Sequence, residues 1–374
     1  MPKAHSTPPT SLTPEERRHI FAQCERWLFG HPRQPVRAQL AALAEHAGAD
    51  ELPDVYGEGA LIDDFEREVA ELLGKEAAVF LPSGTMAQQI ALRIWSDRTG
   101  SRCVGFHPTC HLEIHEQKGY ERLHGLHGIV LGSRERLITM DDLRTPESLA
   151  AVLWELPQRE IGGQLPAWED LQEQVQWAKS RGAAAHMDGA RLWESAAFYG
   201  REYAEIAELF DSVYVSFYKG IGAIAGAALA GSAEFIAEAR VWQRRHGGNL
   251  VQLYPYVLSA RAGLHERLSR FADYHTRAVE IAEALSNVDG LLLKPNPPHT
   301  NMAHLYLRGE ADALLAASVE LAREERVATV GWFGQTDIPG YVYTEMTIGD
   351  GAAAFTTEEI AGYFTRILER ARQR

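Results

Sequence analysis

The sequence predicts an α/β protein in which a large domain with a mainly parallel central sheet precedes a small α+β C-terminal domain. From about residue 61, short and nearly continuous apolar runs alternate with segments whose apolar residues recur at helical spacing, which is typical of buried parallel strands covered by helices. After about residue 255 the pattern changes to long helices followed by several short candidate strands. A chain of 374 residues also exceeds one ordinary core, so two domains are expected.

The boundaries follow from changes in this pattern. Thr13, Pro14 and Glu16 are typical of a helix start, because Thr13 can cap the helix and Glu16 can reach back to it. We expect this helix to run to about Trp27, and a second one at 36–47. The chain is therefore divided into a flexible tail at 1–14, an N-terminal helical arm at 15–50, a large domain at 51–265 and a small C-terminal domain at 266–374.

In the large domain, apolar runs of four to six residues are interpreted as strands and the longer periodic segments as helices. The expected strands are 77–81, 128–131, 151–154, 183–187 and 212–217, and the expected helices include 61–73, 84–94 and 168–180. The C-terminal part of the chain is expected to contain helices at about 255–288, strands at 290–293, 304–307, 327–330 and 341–347, and a closing helix from Thr357.

The composition excludes several classes of function. The formal net charge is −14, from 37 Lys and Arg against 51 Asp and Glu, so nucleic acid is not an expected partner. No run of 18 apolar residues indicates a membrane span, and the first residues do not resemble a signal peptide. The sequence has three cysteines, which is an odd number and too few for a disulfide framework: Cys24, Cys103 and Cys110. We expect a cytoplasmic protein with neither a membrane nor a nucleic-acid partner.

Two polar residues at the ends of apolar strands are the most informative. Lys219 follows the run at 212–217 and precedes a glycine-rich turn, and Asp188 ends the run that starts at residue 183. Because the carboxyl ends of neighbouring parallel strands face one crevice, these two side chains are expected to converge. A pyridoxal-phosphate site requires an amine that forms an imine and a carboxylate that pairs with the ring nitrogen. A lone lysine at such a junction is more often a surface residue, so the combination carries the prediction.

The turn Ser83-Gly84-Thr85 joins another apolar strand to a helix. The free amides and partial positive charge at such a helix start suit a phosphate group. Considered alone, the turn is explained equally well by a helix cap from Ser83 or Thr85. Together with Lys219 and Asp188, it indicates a phosphorylated cofactor.

Six segments occur in the order and spacing of the threonine aldolases. They are 54–59 (DVYGEG), 73–78 (LGKEAA), 82–87 (PSGTMA), His111 with Glu116, 186–191 (HMDGAR) and 219–223 (KGIGA). The chain therefore resembles this family over about 50–265. The resemblance implies the fold type I architecture, pyridoxal 5'-phosphate as cofactor, a homodimer or homotetramer with shared active sites, and cleavage of β-hydroxy-α-amino acids to glycine and an aldehyde.

The resemblance also implies roles for single residues. Lys219 would hold the cofactor as a Schiff base and Asp188 would pair with its ring nitrogen. Ser83, Gly84 and Thr85 would hold its phosphate.

Three further residues are assigned in the same way. His111 would stack on the cofactor ring and assist proton transfer. Arg191 would face the cofactor or the substrate carboxylate, which a planar guanidinium can bind through two hydrogen bonds. Tyr56 would reach across the dimer interface into the neighbouring site.

The chain departs from the family pattern mainly where the substrate is recognised. Tyr218 and Phe29 stand where the family has serines, and 247–251 lacks the arginine that follows a Gly-Gly-Gly-Met segment. Glu345 lies where the family has the arginine that grips the substrate carboxylate, and no arginine occurs between Arg326 and Arg366. A carboxylate at that position would repel an ordinary α-amino acid. We therefore expect retained cofactor chemistry with altered substrate recognition.

A metal site is the alternative interpretation of one segment. His107, His111 and His115 recur every four residues and Glu116 follows, so a helix would gather the imidazoles on one face. Pro108 disfavours a continuous helix, and the resemblance already assigns His111, so no metal is expected. Structural or solvent-facing roles suit His107 and His115 better.

The sequence as a whole predicts a pyridoxal-phosphate-dependent carbon–carbon lyase of the aldolase type, acting on a β-hydroxy-α-amino acid. One alternative is β-elimination, or other Cα chemistry such as transamination, on an unusual amine substrate. A second is a cofactor-binding protein without lyase turnover. A third is a metal hydrolase built on the cluster at 107–116.

Overall fold

A computed structural model describes residues 13–374, so nearly all of the expected tail at 1–14 lies outside the described residues. The chain forms two compact units. The larger is Gln34–His275, and the smaller combines Thr276–Arg374 with the described residues before Gln34. None of the described helices is both long and apolar enough to cross a bilayer.

Between Thr13 and Arg374 the structure contains both β-strands and α-helices. The strands are β1 (Arg26–Trp27), β2 (Ala77–Leu81), β3 (Cys103–Phe106), β4 (His127–Val130), β5 (Leu149–Glu155), β6 (Ala184–Gly189), β7 (Ser212–Ser216), β8 (Ala227–Gly231), β9 (Leu291–Lys294), β10 (Met302–Arg308), β11 (Val327–Ala328), β12 (Gly334–Gln335) and β13 (Tyr341–Thr347). The helices are α1 (Pro14–Ala22), α2 (Val36–Glu45), α3 (Ala60–Leu72), α4 (Gly84–Thr99), α5 (His111–Ile114), α6 (Gly119–His124), α7 (Met140–Leu143), α8 (Trp168–Ser180), α9 (Ala196–Tyr199), α10 (Tyr203–Glu208), α11 (Ala233–Arg245), α12 (Tyr254–Arg267), α13 (Phe271–Leu285), α14 (Ala311–Glu325) and α15 (Thr357–Arg372).

The segment expected to form one helical arm at 15–50 is divided between the two units. Helix α1 packs against α14 of the smaller unit, whereas α2 packs against α12 of the larger one. The first helix has the expected Thr13–Glu16 capping box but ends at Ala22, not at about Trp27. It ends there because the following chain turns and β1 pairs in parallel with β11.

A seven-stranded sheet in the order β2-β8-β7-β6-β5-β3-β4 forms the centre of the larger unit. The strands β3 to β7 pair in parallel with one another, and β8 is antiparallel to both of its neighbours, β7 and β2. Because β2 and β7 both oppose β8, β2 runs in the same direction as the parallel strands. We call the edge where these strands end the carboxyl edge of the sheet.

The central strands of this sheet are covered on both faces because the residues pointing to both sides are mostly apolar. Every residue of β5, β6 and β7 is buried, as expected for parallel strands between two helical layers. Helices α4 and α11 pack over one part of the sheet through a shared apolar cluster that includes Ile90, Phe235 and Ala239. The mainly parallel α/β fold of the large domain is confirmed.

The smaller unit contains a four-stranded antiparallel sheet in the order β12-β13-β10-β9. Along β13, buried and half-buried residues alternate, which is typical of a strand with one covered face. Glu345 belongs to the half-buried set and lies opposite His304 of β10.

Candidate active site

The carboxyl edge of the central sheet brings together polar residues that are far apart in the sequence. Strand β5 ends at Glu155, Asp188 lies near the end of β6, and Lys219 follows β7. The turn that starts α4 lies at the same edge, since β2 runs in the same direction as β7. This is the position at which parallel α/β sheets usually bind ligands.

Asp188 is only 2% exposed, and its Oδ1 accepts a hydrogen bond from the Ala190 amide at 3.1 Å. Burial raises the pKa of Asp188, whereas the nearby Lys219 and His111 lower it. A buried carboxylate in these surroundings is stabilised in its charged form by a cation.

Lys219 is half-buried just beyond the end of β7. Burial lowers the pKa of its amine, the positive charge of Arg191 lowers it further, and Asp188 and Glu155 act in the opposite direction. The amine is therefore more readily neutral than an exposed lysine, and a neutral amine is the form that attacks a carbonyl group.

The first turn of α4 presents backbone amides and hydroxyl groups. Ser83 caps the helix, since its Oγ accepts a hydrogen bond from the Met86 amide at 3.3 Å. A side chain at Gly84 would overlap the hydroxyl of Tyr214 and crowd that of Tyr218. These two hydroxyls lie 3.2 Å apart. Glycine is therefore required at residue 84 for the hydroxyls to approach the amino end of this helix.

His111 begins the short helix α5, and its imidazole is fixed by Glu116. The ring Nδ1 lies 3.0 Å from Glu116 Oε1, and the Glu116 side chain is buried. The backbone amide of His111 donates to Glu155 Oε2 at 3.1 Å. One edge of the imidazole is thus held, and the opposite edge carries Nε2.

The other two histidines of this segment have partners of their own. The His107 imidazole is buried and bonds to the Arg136 carbonyl and the Thr109 hydroxyl, and His115 bonds to Glu160. Within residues 13–374, no cluster of three or more His, Cys, Asp or Glu side chains has the arrangement of a metal site.

Arg191 follows β6 and precedes the 3₁₀ turn Leu192–Glu194. Its charge lowers the pKa values of Glu155, Glu194 and Lys219, so its guanidinium lies near all three. No carboxylate among residues 13–374 forms an ion pair with it at hydrogen-bonding distance. The guanidinium therefore remains available to an anionic ligand.

Tyr56 lies in an exposed loop of the larger unit and is 53% exposed, with a left-handed φ of 53°. Its amide donates to the Val251 carbonyl at 2.9 Å. The loop is anchored by buried Asp54, whose carboxylate accepts hydrogen bonds from the amides of Leu253 and Tyr254 at 2.8 and 2.7 Å. Such an anchor explains how a strained conformation at Tyr56 is maintained.

Glu345 lies on β13, and its Oε1 accepts a hydrogen bond from the Thr347 hydroxyl at 3.2 Å. It belongs to the smaller unit, whereas the predicted cofactor residues from Ser83 to Lys219 belong to the larger one. Its role toward a substrate stays a prediction.

Sequence reasoning missed three buried polar residues at this edge: Glu155, Glu194 and Tyr214. Glu155 could have been found, because it ends an apolar strand in the same way as Asp188. Glu194 does not end an apolar run, so no sequence pattern indicated it. It is 2% exposed, its Oε2 has no hydrogen-bond partner among the described residues, and burial raises its pKa to about 7.

Comparison with known proteins identifies similar sequences over most of the chain. A family model described as β-eliminating lyase matches residues 34–309. The low-specificity L-threonine aldolase 1 of Arabidopsis thaliana is 30% identical over 261 residues, which cover 67% of this chain and 72% of that protein. The low specificity L-threonine aldolase of Escherichia coli K12 is 29% identical over 78% of this chain and 86% of its own length.

Solved structures give the same result for the fold. A candidate L-allo-threonine aldolase from Listeria monocytogenes EGD-E is 42% identical, with a TM-score of 0.90 over 96% of this chain and 99% of that chain. Threonine aldolase from Leishmania major has a TM-score of 0.70 at 17% identity, over 92% of this chain and 99% of that chain, and shares the fold.

Proposed function

This chain belongs to the β-eliminating lyase family that includes the threonine aldolases, and we propose that it cleaves β-hydroxy-α-amino acids to glycine and an aldehyde. It is a pyridoxal-phosphate-dependent lyase with the type I fold. The observation that carries the proposal is the meeting of Lys219, Asp188 and the start of α4 at one edge of the sheet.

The residues at this edge fit pyridoxal phosphate. The lowered pKa of Lys219 suits an amine that binds an aldehyde, and buried Asp188 suits a carboxylate that pairs with a protonated ring nitrogen. The amides and hydroxyls around Ser83, Gly84 and Thr85 would hold the phosphate. The bound cofactor supplies an electron sink for the electron pair of the broken Cα–Cβ bond.

His111 is proposed to move the proton in this reaction. Its Nδ1 is held by Glu116 at 3.0 Å, so Nε2 is the atom that accepts the proton of the substrate β-hydroxyl. Loss of that proton converts the hydroxyl to the carbonyl of the leaving aldehyde.

Arg191 is proposed to bind the substrate α-carboxylate. Its guanidinium has no carboxylate partner within residues 13–374 and lies near Lys219. Two parallel hydrogen bonds from a guanidinium would fix the amino acid and orient its Cα–Cβ bond.

We further propose a homodimer or homotetramer in which Tyr56 contributes to the neighbouring site. The loop of Tyr56 and the segment joined to it form an exposed apolar surface, which we call the Tyr56 surface. It consists of Leu52, Val55, Tyr56, Leu250 and Val251. Exposed apolar groups of this kind are typical of interaction sites. A cytoplasmic location is proposed as well, on the ground that Cys24, Cys103 and Cys110 carry free thiols.

The decisive experiment is a panel of β-hydroxy-α-amino acids incubated with the cofactor-loaded protein, with the products identified. Glycine and an aldehyde are expected from the wild type and from neither Lys219→Ala nor the cofactor-free protein. A keto acid or an exchanged amino group would instead indicate β-elimination or transamination. Borohydride reduction and peptide mapping should place the pyridoxyl group on Lys219, and a different lysine would overturn the assignment.

A further inference from the structure

Glu155 is a buried carboxylate at the carboxyl edge to which the proposed function gives no role. It ends β5, is 8% exposed and lies directly opposite Asp188 of β6 in the register of the two parallel strands. Burial of an ionisable group at this position is unfavourable unless its contacts compensate.

Both oxygens of Glu155 accept hydrogen bonds from the segments that follow β3 and β5. Oε2 accepts from the His111 amide at 3.1 Å and from the Gln158 side chain at 3.2 Å. Oε1 accepts from the Arg159 amide at 3.2 Å. The contact with His111 is made at the first residue of α5, so Glu155 fixes the backbone that carries the imidazole.

The same carboxylate interacts electrostatically with the cofactor residues. Burial raises the pKa of Glu155, with a further increase from Asp188, whereas Lys219 and Arg191 lower it. Among the groups packed around the pair, His111 and Glu116 act on Asp188, and the thiol of Cys110 lies near both carboxylates. A charge on Glu155 therefore affects the proton affinity of Asp188 and Lys219 together.

We propose that Glu155 is a positioning residue that couples His111 to the Asp188–Lys219 pair, by fixing the start of α5 and by placing a negative charge beside Asp188. The proposal rests on the proposed function for the role of His111 in turnover. The effect of the Glu155 charge on Asp188 and Lys219 does not depend on that role and can be measured without turnover.

Two substitutions separate these two effects. Glu155→Gln keeps the size but removes the charge, and its amide group presents a donor where the native side chain accepts hydrogen bonds on both oxygens. We expect kcat to fall about tenfold or more with a smaller change in KM. We also expect the midpoint of the pH-dependent absorbance change of the bound cofactor to fall by about half a pH unit or more, since a cation at Lys219 loses a stabilising charge.

Glu155→Asp keeps the charge but is too short to reach the His111 amide. Its kcat should fall while the absorbance midpoint stays within about 0.2 pH units of the wild type. Glu194→Gln is the matched control, because it removes a carboxylate that is also buried and also near Lys219 and Arg191 but makes no hydrogen bond to His111. We expect its kcat to change less than about threefold.

An unchanged kcat and midpoint in Glu155→Gln would overturn the proposal. An equal loss of kcat in Glu194→Gln would do the same, because it would show a general effect of removing buried charge. If the wild type released no glycine, the proposed function would fail on its own, and the absorbance midpoints would still test the coupling to Asp188 and Lys219.

Discussion

The carboxyl edge of the central sheet and strand β13 of the smaller unit constrain their acidic residues in different ways. At the carboxyl edge, Glu155 and Asp188 are buried and interact with Lys219, so replacing one changes the pKa values of the others. On β13, Glu345 lies on a half-buried face and is hydrogen-bonded to its near neighbour Thr347. A substitution at the carboxyl edge therefore alters several buried ionisable groups at once, whereas a substitution at Glu345 changes one side chain on a half-buried face.

Among these substitutions, Asp188→Asn is expected to cause the largest loss of activity. The variant should retain bound cofactor but lose about a hundredfold or more in kcat, because a neutral amide cannot hold a ring nitrogen protonated. The bound cofactor is measured by absorbance and kcat by glycine release. A near-wild-type rate would show that Asp188 has only a structural role.

His111→Ala tests the second functional group at this edge. Removal of a proton-transfer group typically costs about a hundredfold or more in rate, and a loss in kcat of that order is expected. His115→Ala is the control, because its ring centroid lies 5.0 Å from that of His111 but its imidazole bonds to Glu160. Stoichiometric zinc that disappeared in His111→Ala, measured by elemental analysis, would instead support a metal site.

Glu194→Gln should change stability in a pH-dependent way. Burial raises the pKa of Glu194 to about 7 from 4.5, so the native state favours the protonated form and loses stability as the pH rises between these values. Gln mimics the protonated form. Its advantage over the wild type in the free energy of unfolding should therefore grow by up to about 1.4 kcal/mol for each pH unit from 4.5 to 7.

Urea unfolding of the cofactor-free proteins at pH 5 and pH 7.5 measures this difference. Comparison with the wild type cancels the opposite contribution of His186, whose pKa burial lowers to about 3. A constant difference between the two proteins across this range would show that Glu194 is already charged at low pH.

Much of the larger unit could be predicted from the sequence because its strands are buried on both faces. The expected strand at 77–81 matches β2, and the helix at 168–180 matches α8, since uninterrupted apolar runs and helical periodicity were unambiguous there. The convergence of Asp188 and Lys219 followed from the direction of parallel strands alone.

The remaining features depended on tertiary contacts that have no local signal. The end of α1 at Ala22 is set by the pairing of β1 with β11, which is distant in the sequence. Tyr218 was recognised only as a departure from the family, and the structure places its hydroxyl beside that of Tyr214 at the start of α4. Periodicity cannot indicate such a pairing.

The smallest expected effect concerns Glu345, and it tests whether β13 carries a substrate determinant at all. No arginine occurs between Arg326 and Arg366, so Arg191 is the proposed partner of the substrate carboxylate and Glu345 would oppose it. Weak cleavage of threonine by the wild type is the expected result.

Replacing Glu345 by Gln removes the charge and keeps the size, so KM for threonine should fall by about threefold to tenfold with little change in kcat. Glu345→Arg should lower KM further if β13 faces the carboxylate. Glu369→Gln is the control, since it removes an exposed carboxylate from α15 of the same unit. Steady-state kinetics with threonine and phenylserine provide the measurement. Efficient threonine cleavage by the wild type, unaffected by Glu345→Gln, would show that the carboxylate is bound elsewhere and that β13 carries no substrate determinant.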